Sequence, residues 1–506
     1  MMRVLFCLVL LVTVNPWPAR GVEPPNVVIL FADDLGCGDL SCYGNESWQT
    51  PRLDRMAAEG ARLESFYVAT PSCAPSRVAL LTGRFPYRTG VPSNPTPDAG
   101  RDHGIRAAEK TLGEILQHEG YATCIIGKWH LGHLPEFYPT RHGFDRYFGI
   151  LYSNDMRPVM LCRDEQAVEY PVVQSYLTKR YTEEAVAFLE EHRDEPFFLY
   201  LPHAMPHKPL AASEEYYTPE SRDDLYADVI RELDASVGTV LDALERLDLE
   251  ERTLVVFSSD NGPWYGGSTG GLRGMKGSGW EGGVRVPGIF RWPGRIPAGR
   301  VVEEPAATVD LVPTICGLAE IEVESLAVDG HDIWPVLSGK GEGPEGRVIY
   351  TWNGQNLLAV RQGRWKLHVT SPRARPRGVR GETWIDPRGP DGVTIIAPIE
   401  QTQPWQYPAP ADTAETAPAK AWQLFDLETD PGEQHDVTAE HPDVVARLTE
   451  IARAAQADAA TAEMPQFERV KTQYYEGPRQ ITAETPMAIE DVLRLSRQKG
   501  HEAPAK

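Results

Sequence analysis

Four short apolar runs constrain this chain more than any other feature. Asn26–Ala32 (NVVILFA) ends in Asp33-Asp34, and Ala122–Gly127 (ATCIIG) ends in Lys128-Trp129-His130. Phe197–Leu201 (FFLYL) ends in Pro202-His203, with His207 just beyond, and Leu254–Ser259 (LVVFSS) ends in Asp260-Asn261-Gly262. Apolar runs without polar alternation suit strands buried on both faces, as in parallel sheets. Helical stretches separate them: Pro51–Glu59, Thr111–His118, Tyr181–His192 and Leu225–Leu247. The expected fold class is α/β, a mainly parallel sheet sandwiched by helices. Ligands of such sheets bind beyond the carboxyl ends of the strands. All four polar clusters fall at that edge, so a shared site accounts for them better than four unrelated solvated loops.

The chain has 506 residues, 42% hydrophobic and 24% charged, which excludes disorder as its main description. Its 50 basic and 72 acidic residues leave a formal net charge of -22. A nucleic-acid binder would lean the other way. An anionic ligand is repelled at long range, so an anion site must be a local basic pocket. At the N-terminus, one Arg precedes an apolar run from Val4 to Val14, and small residues follow. This is the pattern of an export signal, with cleavage expected within Pro18–Val22. No later stretch offers the ~20 apolar residues of a membrane span. A periplasmic or secreted protein is expected. Export would permit disulfides, and Cys37 and Cys42 are close enough in sequence to pair.

The chain divides into a signal at 1–21, a catalytic α/β domain at 22–345 and a C-terminal α+β subdomain at 346–506. In the last, Gly354–Val369 alternates like a hairpin with its turn at Gln362-Gly363. Residues 371–420 form a Pro/Gly-rich insertion, Trp422–Leu427 a further strand and Pro442–Ala460 a helix.

Ser72–Gly90 reads SCAPSRVALLTGRFPYRTG. Pro75 suits a first helical turn, placing Cys73 just ahead of a helix N-terminus, where free N–H groups favour an anion. Arg77, four residues on, can lean back toward Cys73. Such a cysteine could simply be a low-pKa thiolate. However, Cys73-Ala74-Pro75-Ser76-Arg77, followed by Leu81-Thr82-Gly83-Arg84, resembles the type I sulfatase signature. The likeness runs from about Pro25 to Val437 and is closest to the arylsulfatase A and N-acetylgalactosamine-6-sulfatase branch. It implies an alkaline-phosphatase-like sheet. It also implies that a maturation enzyme oxidises Cys73 to Cα-formylglycine.

The resemblance makes Asp33, Asp34, Asp260 and Asn261 metal ligands, joined by the modified Cys73. Three carboxylates and an amide carbonyl are hard oxygen donors, which independently suits Ca²⁺ or Mg²⁺. Lys128 and His130 match the family's GKWHLG segment. Ser153 matches a residue that supports His130 and touches substrate. His207 looks like the catalytic histidine, with His203 a competitor for a neighbouring role. Lys276 matches a lysine ahead of the EGG triplet. Asp310, in a stretch resembling the family's late helix, reads as structural.

The implied mechanism hydrates the aldehyde to a gem-diol, one hydroxyl of which is activated by the metal and Arg77 and attacks sulfur. Lys128 and Arg77 hold the sulfate, while His207 and Lys276 protonate or stabilise the leaving oxygen. The second hydroxyl, assisted by His130, then expels sulfate. The expected substrates are sulfated carbohydrates and aryl sulfates, with Trp264, Tyr265 and Trp405–Tyr407 available to stack on sugar rings. The alternatives are a phosphomonoester or phosphonate monoester hydrolase of the same superfamily, and an inactive protein that binds sulfated glycans.

Overall fold

The computed structural model describes residues 24–95, 103–156, 159–217, 225–264, 266–323, 326–371, 421–463 and 481–492. The expected export signal, Tyr265 and nearly all of the Pro/Gly-rich insertion, Trp405–Tyr407 included, lie outside them.

The four apolar runs become β1 (Asn26–Ala32), β3 (Ala122–Lys128), β7 (Phe197–Pro202) and β8 (Thr253–Ser259). They are contiguous, in the order β8-β1-β7-β3, and mutually parallel. Ile29 lies level with Tyr200 on one side and Val256 on the other. Every residue of β1, β7 and β8 is buried. Their side chains alternate between two cores: Val27, Ile29 and Phe31 enter one, Val28, Leu30 and Ala32 the other. That is why no polar residue interrupts these runs.

The first core is covered by α2 (Cys73–Thr82), α3 (Leu112–His118) and the helix Leu311–Leu318, through Leu80, Leu116 and Ile315. The second is covered by α1 (Pro51–Ala58), α4 (Leu177–Glu191) and α5 (Leu225–Arg246), through Leu53, Tyr181 and Leu233. Each such side chain, fully buried, contributes roughly 1.5–3 kcal/mol.

The 12-stranded sheet is more mixed than the apolar runs suggest. Beyond β3 comes β4 (Arg146–Ile150), still parallel, then β5 (Leu161–Arg163), antiparallel to β4, and β6 (Gln166–Glu169), antiparallel to β5. Beyond β8 come β9 (Arg285–Arg291), antiparallel to β8, and β2 (Ala61–Tyr67), antiparallel to β9. Two short strands, β10 (Arg300–Val302) and β11 (Ala306–Ala307), pair with β2. The added strands escape the apolar signal because β2 carries Arg62 and Glu64, and β9 carries Pro287 and Gly288.

A second, antiparallel sheet runs β12 (Val348–Asn353), β13 (Asn356–Gln362), β14 (Trp365–His368) and β15 (Gln423–Asp426). The β13–β14 turn is Gly363-Arg364, one residue later than the alternation suggests, with Gly363 at φ 58°. Trp352, Leu357, Leu367 and Leu424 pack this sheet on Val444 and Leu448 of the helix Pro442–Ala459. The chain then returns to the large sheet, where β16 (Met487–Ala488) pairs with β6.

Candidate functional site

The parallel strands deliver their polar clusters to one edge. Asp33 and Asp34 follow β1, Asp260 and Asn261 follow β8, and Lys128 closes β3. Two of the turns are strained. Asp34 sits at φ 68° and His130 at φ 65°, in the left-handed region that costs an ordinary residue roughly 1–2 kcal/mol. The Asp34 turn is held by its own N–H, which donates to Asp260 Oδ1 at 3.1 Å. Two glycines permit the close approach: a Cβ at Gly127 would meet Pro202 O at 1.9 Å, and one at Gly262 would meet Gly282 O at 1.9 Å.

Cys73 is the first residue of α2, with Ser72 as N-cap, rather than lying ahead of the helix. The cap comes from elsewhere: Asn94 Oδ1 accepts from Ala74 N–H at 3.0 Å and from the Ser72 hydroxyl at 3.1 Å. Arg77, fully buried, turns its guanidinium to Asp260 instead of back toward Cys73. Its Nε and Nη2 donate to Asp260 Oδ2 at 3.0 and 2.7 Å, Nη2 lies 3.4 Å from Asp33 Oδ2, and Nη1 donates to Lys128 O at 2.9 Å. Lys128 Nζ donates to Asp33 Oδ2 and, at 3.2 Å, to Ser153 Oγ. Lys276 Nζ lies 2.7 and 2.8 Å from the two oxygens of Asp34. Three cations thus face three carboxylates, a charge-balanced set within an acidic protein.

The residues fit a divalent cation. Asp33 Oδ1 and Asn261 Oδ1 are buried acceptors without a hydrogen-bond partner. Burial, then the charge of Asp33, outweighs Arg77 and raises the carboxyl of Asp260. Burial would raise Asp33 too, but Lys128, His207 and Arg77 outweigh it and hold its carboxyl below the usual range. Donor atoms of Asp33, Asp34, Cys73 and His207 lie within 4.8 Å of one another. This brings His207 into the group, whereas Asp260 points its oxygens at Arg77 and Asp34 N–H.

Burial raises the Cys73 thiol, outweighing Lys128 and Lys276, which disfavours the thiolate alternative. His130 is completely buried with neither ring nitrogen hydrogen-bonded. Burial, then Lys128, Arg77, His207 and Lys276, lowers its pKa well below the usual histidine value, so the ring stays neutral. Ser153 faces Lys128 and His207 (3.3 Å from Nδ1) rather than supporting His130. His203 loses its competition with His207. It packs toward α5, with Nε2 3.4 Å from Ser236 Oγ, and burial pushes it down to about 3. Asp310 is structural, as expected, accepting from Ala307 N–H, His331 N–H and Arg347. Cys37 and Cys42 are both free thiols.

Three contributors carry no signal strong enough to find in the sequence. Asn94 is one. Asn154 is another: its Oδ1 lies 3.0 Å from His207 Nδ1, and its Nδ2 donates to His207 O at 3.2 Å and Pro209 O at 3.0 Å. Asp155 is the third, exposed beside the site. Desolvation there raises its carboxyl, but His207, Lys128, the Ser153 hydrogen bond and Lys276 hold it below the usual range. Of the aromatics, Trp264 stands near the site, its ring 6.0 Å from Lys276 Nζ. Among the described residues, no helix is long and apolar enough to cross a membrane.

Comparison with known proteins identifies the family. The Sulfatase family model matches residues 25–321, and a model for the C-terminal region of aryl-sulfatase matches residues 344–476. The N-acetylgalactosamine-6-sulfatase of Canis lupus familiaris is 37% identical over 471 residues, 86% of each chain. Arylsulfatase A of Homo sapiens is 35% identical over 469 residues, 85% of this chain and 87% of that one. The crystal structure of Ps i-CgsB in complex with k-i-k-neocarrahexaose superposes with a TM-score of 0.72 at 28% identity, covering 89% of this chain and 96% of that one.

Proposed function

The chain belongs to the sulfatase family and hydrolyses sulfate esters, and from that premise we propose that its substrate is a sulfated carbohydrate. We further propose that it is exported, that Cys73 is converted to formylglycine, and that the metal is Ca²⁺. The observation that carries the reading is the placement of Cys73 at the start of α2. There its Sγ lies 4.0 Å from Asp34 Oδ1, beside the unpartnered oxygens of Asp33 and Asn261. Relatives named N-acetylgalactosamine-6-sulfatase and a similar structure bound to neocarrahexaose support a carbohydrate substrate.

Asp33, Asp34, Asp260, Asn261 and residue 73 would hold the metal, which supplies positive charge for the sulfate oxygens and for a hydroxyl at residue 73. The aldehyde, hydrated, would supply one hydroxyl to attack sulfur and a second to release the sulfate, a release route that an ordinary serine lacks. The chain's own residues do the rest. Lys128 and Arg77 bind and orient the sulfate in a buried setting where charge is poorly screened. Ser153 positions Lys128 and His207. The neutral imidazole of His130, with both nitrogens open, accepts a proton from residue 73. Lys276 and His207, partly exposed at the mouth, meet the leaving oxygen.

The test is peptide mass spectrometry across residue 73 on protein exported by its native host or co-produced with a formylglycine-generating enzyme. The same sample is assayed on sulfated sugars, an aryl sulfate, a phosphate monoester and a phosphonate monoester. The aldehyde mass with turnover of a sugar sulfate upholds the reading. A free thiol in active protein overturns the nucleophile, and preference for the phosphorus esters overturns the substrate.

A further inference from the structure

Lys276 stands on a glycine-rich segment between β8 and β9, in a turn closed locally by Ser278, whose N–H and hydroxyl donate to Met275 O at 3.0 and 2.7 Å. Gly266, Gly270, Gly271, Gly274 and Gly277 all take positive φ. Lys276 N–H donates to Pro263 O at 3.1 Å, within the segment, and Gly277 N–H reaches outside it to Pro71 O at 2.9 Å, two residues before Cys73. At its base the segment closes on itself, Gly282 N–H donating to Arg273 O at 2.7 Å.

That base is clamped by the small sheet. Glu433 follows β15 and is fully buried. Its Oε2 accepts from Glu281 N–H at 2.6 Å, and its backbone oxygen accepts from Arg273 Nη1 at 2.8 Å. One residue thereby grips both ends of the closure. Glu433 is itself fixed from β14: His368 Nε2 lies 2.6 Å and Lys366 Nζ 3.1 Å from its Oε1. Lys366 also donates to Glu281 Oε1 at 2.9 Å, and Tyr67 donates to Glu281 Oε2 at 2.6 Å. Trp280 fills the space between, with the Arg273 guanidinium 3.8 Å from its ring and the His368 ring 4.4 Å away.

We propose that Glu433 is a positioning residue for the reaction: it sets where Lys276 Nζ stands relative to the leaving oxygen. The inference rests on the reading of Lys276 given above. The Met275–Ser278 turn fixes Lys276 within its own segment but not the segment against the rest of the protein, and a displacement of about 1 Å in a catalytic group can cost roughly 10²-fold in rate. The alternative is a clamp that stabilises the fold and leaves Lys276 indifferent.

Leaving-group dependence separates the two. Full-length protein with confirmed aldehyde at residue 73 is assayed on aryl sulfates of graded leaving-group acidity, as wild type, Lys276→Ala, Glu433→Gln and His368→Gln. Lys276→Ala is expected to lose most on the poorest leaving group, steepening the dependence. Glu433→Gln is expected to steepen it in the same direction. The expected loss in kcat is about 10–100-fold on the poorest leaving group and under about 3-fold on the best, with KM little changed. His368→Gln, which removes a single contact of Glu433, carries the same criterion with a smaller slope change if Glu433→Gln fails to fold. A uniform loss across the series in Glu433→Gln, or in its stand-in, beside a steepened Lys276→Ala overturns the inference and leaves the Lys276 reading standing. A uniform loss in Lys276→Ala overturns both.

Discussion

The molecule buries two clusters of opposite charges, and they are built to different rules. At the sheet edge, Asp33, Asp34 and Asp260 face Arg77, Lys128 and Lys276. At the junction with the small sheet, Glu281 and Glu433 face Lys366 and His368. In the junction every carboxylate oxygen has a hydrogen-bond partner. At the edge, Asp33 Oδ1 and Asn261 Oδ1 have none. Burying an unpaired acceptor costs about 1–3 kcal/mol. A protein tolerates that expense where a ligand compensates it, so the mismatch is a mark of function. Full pairing of the carboxylates, with only His368 Nδ1 left open, marks a cluster that locates structure. The protonation states agree. Burial raises the carboxyl of Glu281, but Lys366, Arg361, Arg285 and the Tyr67 bond outweigh it and hold it well below the usual range. Burial and Asp33 raise Asp260 despite Arg77.

The contrast is sharpest for activity. Cys73→Ala is expected to lose turnover on the order of 10⁴-fold or more without lowering the unfolding midpoint, because the nucleophile is removed and little else. A midpoint that drops with activity would make Cys73 a packing residue. Lys366→Met is the opposite case. Leaving two buried carboxylates without their shared cation should cost about 3–5 kcal/mol in urea unfolding. An unchanged midpoint would break the distinction between the clusters.

Asp260→Asn is expected to strip bound metal, read by elemental analysis, and to lower activity by roughly 10²-fold or more. The variant should also have a lower urea midpoint than metal-free wild type, because Arg77 stays buried without its carboxylate partner. An equal midpoint would show that the Arg77 pairing carries no stability.

A smaller effect follows from pH. The pKa of Glu281 is lower folded than unfolded, where it is about 4.3. Its contribution is therefore fully present above that value and is lost as pH falls toward the folded value. Urea midpoints between pH 6 and 3 should fall more steeply for wild type than for Lys366→Met, which releases that carboxyl. Parallel slopes would assign the acid sensitivity elsewhere.

Asp155→Asn should be the mildest change. A water-exchanged contact at the rim is worth about 0.5–1.5 kcal/mol, so KM for a sugar sulfate should rise roughly 2–10-fold with an aryl sulfate unaffected. An equal effect on both substrates would place Asp155 inside the sulfate pocket.

Much of the edge cluster was legible because its residues sit immediately after apolar runs. Asp33, Lys128 and Asp260 need only the rule that parallel strands point their carboxyl ends one way. His203 shows the limit of such counting. It lies closer to its run than His207, yet the turn after β7 directs it toward α5. Asn94 and Asn154 escaped for another reason: each acts by reaching a residue that no local pattern connects to it. The junction cluster drew on segments around residues 67, 281, 366 and 433, each unremarkable alone.

The sequence by itself determined the α/β class, the sheet edge that gathers the polar clusters, and the identity of the carboxylates and cations that meet there. Strand pattern and residue chemistry are local properties, and they survive translation from chain to fold. The tertiary structure decided the pairings. It turned Arg77 to Asp260, gave Ser153 to Lys128 and His207, and added antiparallel strands on both sides of the parallel core. It also set Glu433 under the loop of Lys276. Those outcomes depend on which distant backbone segments come within hydrogen-bond reach, and that is a property of packing rather than of neighbours in the chain.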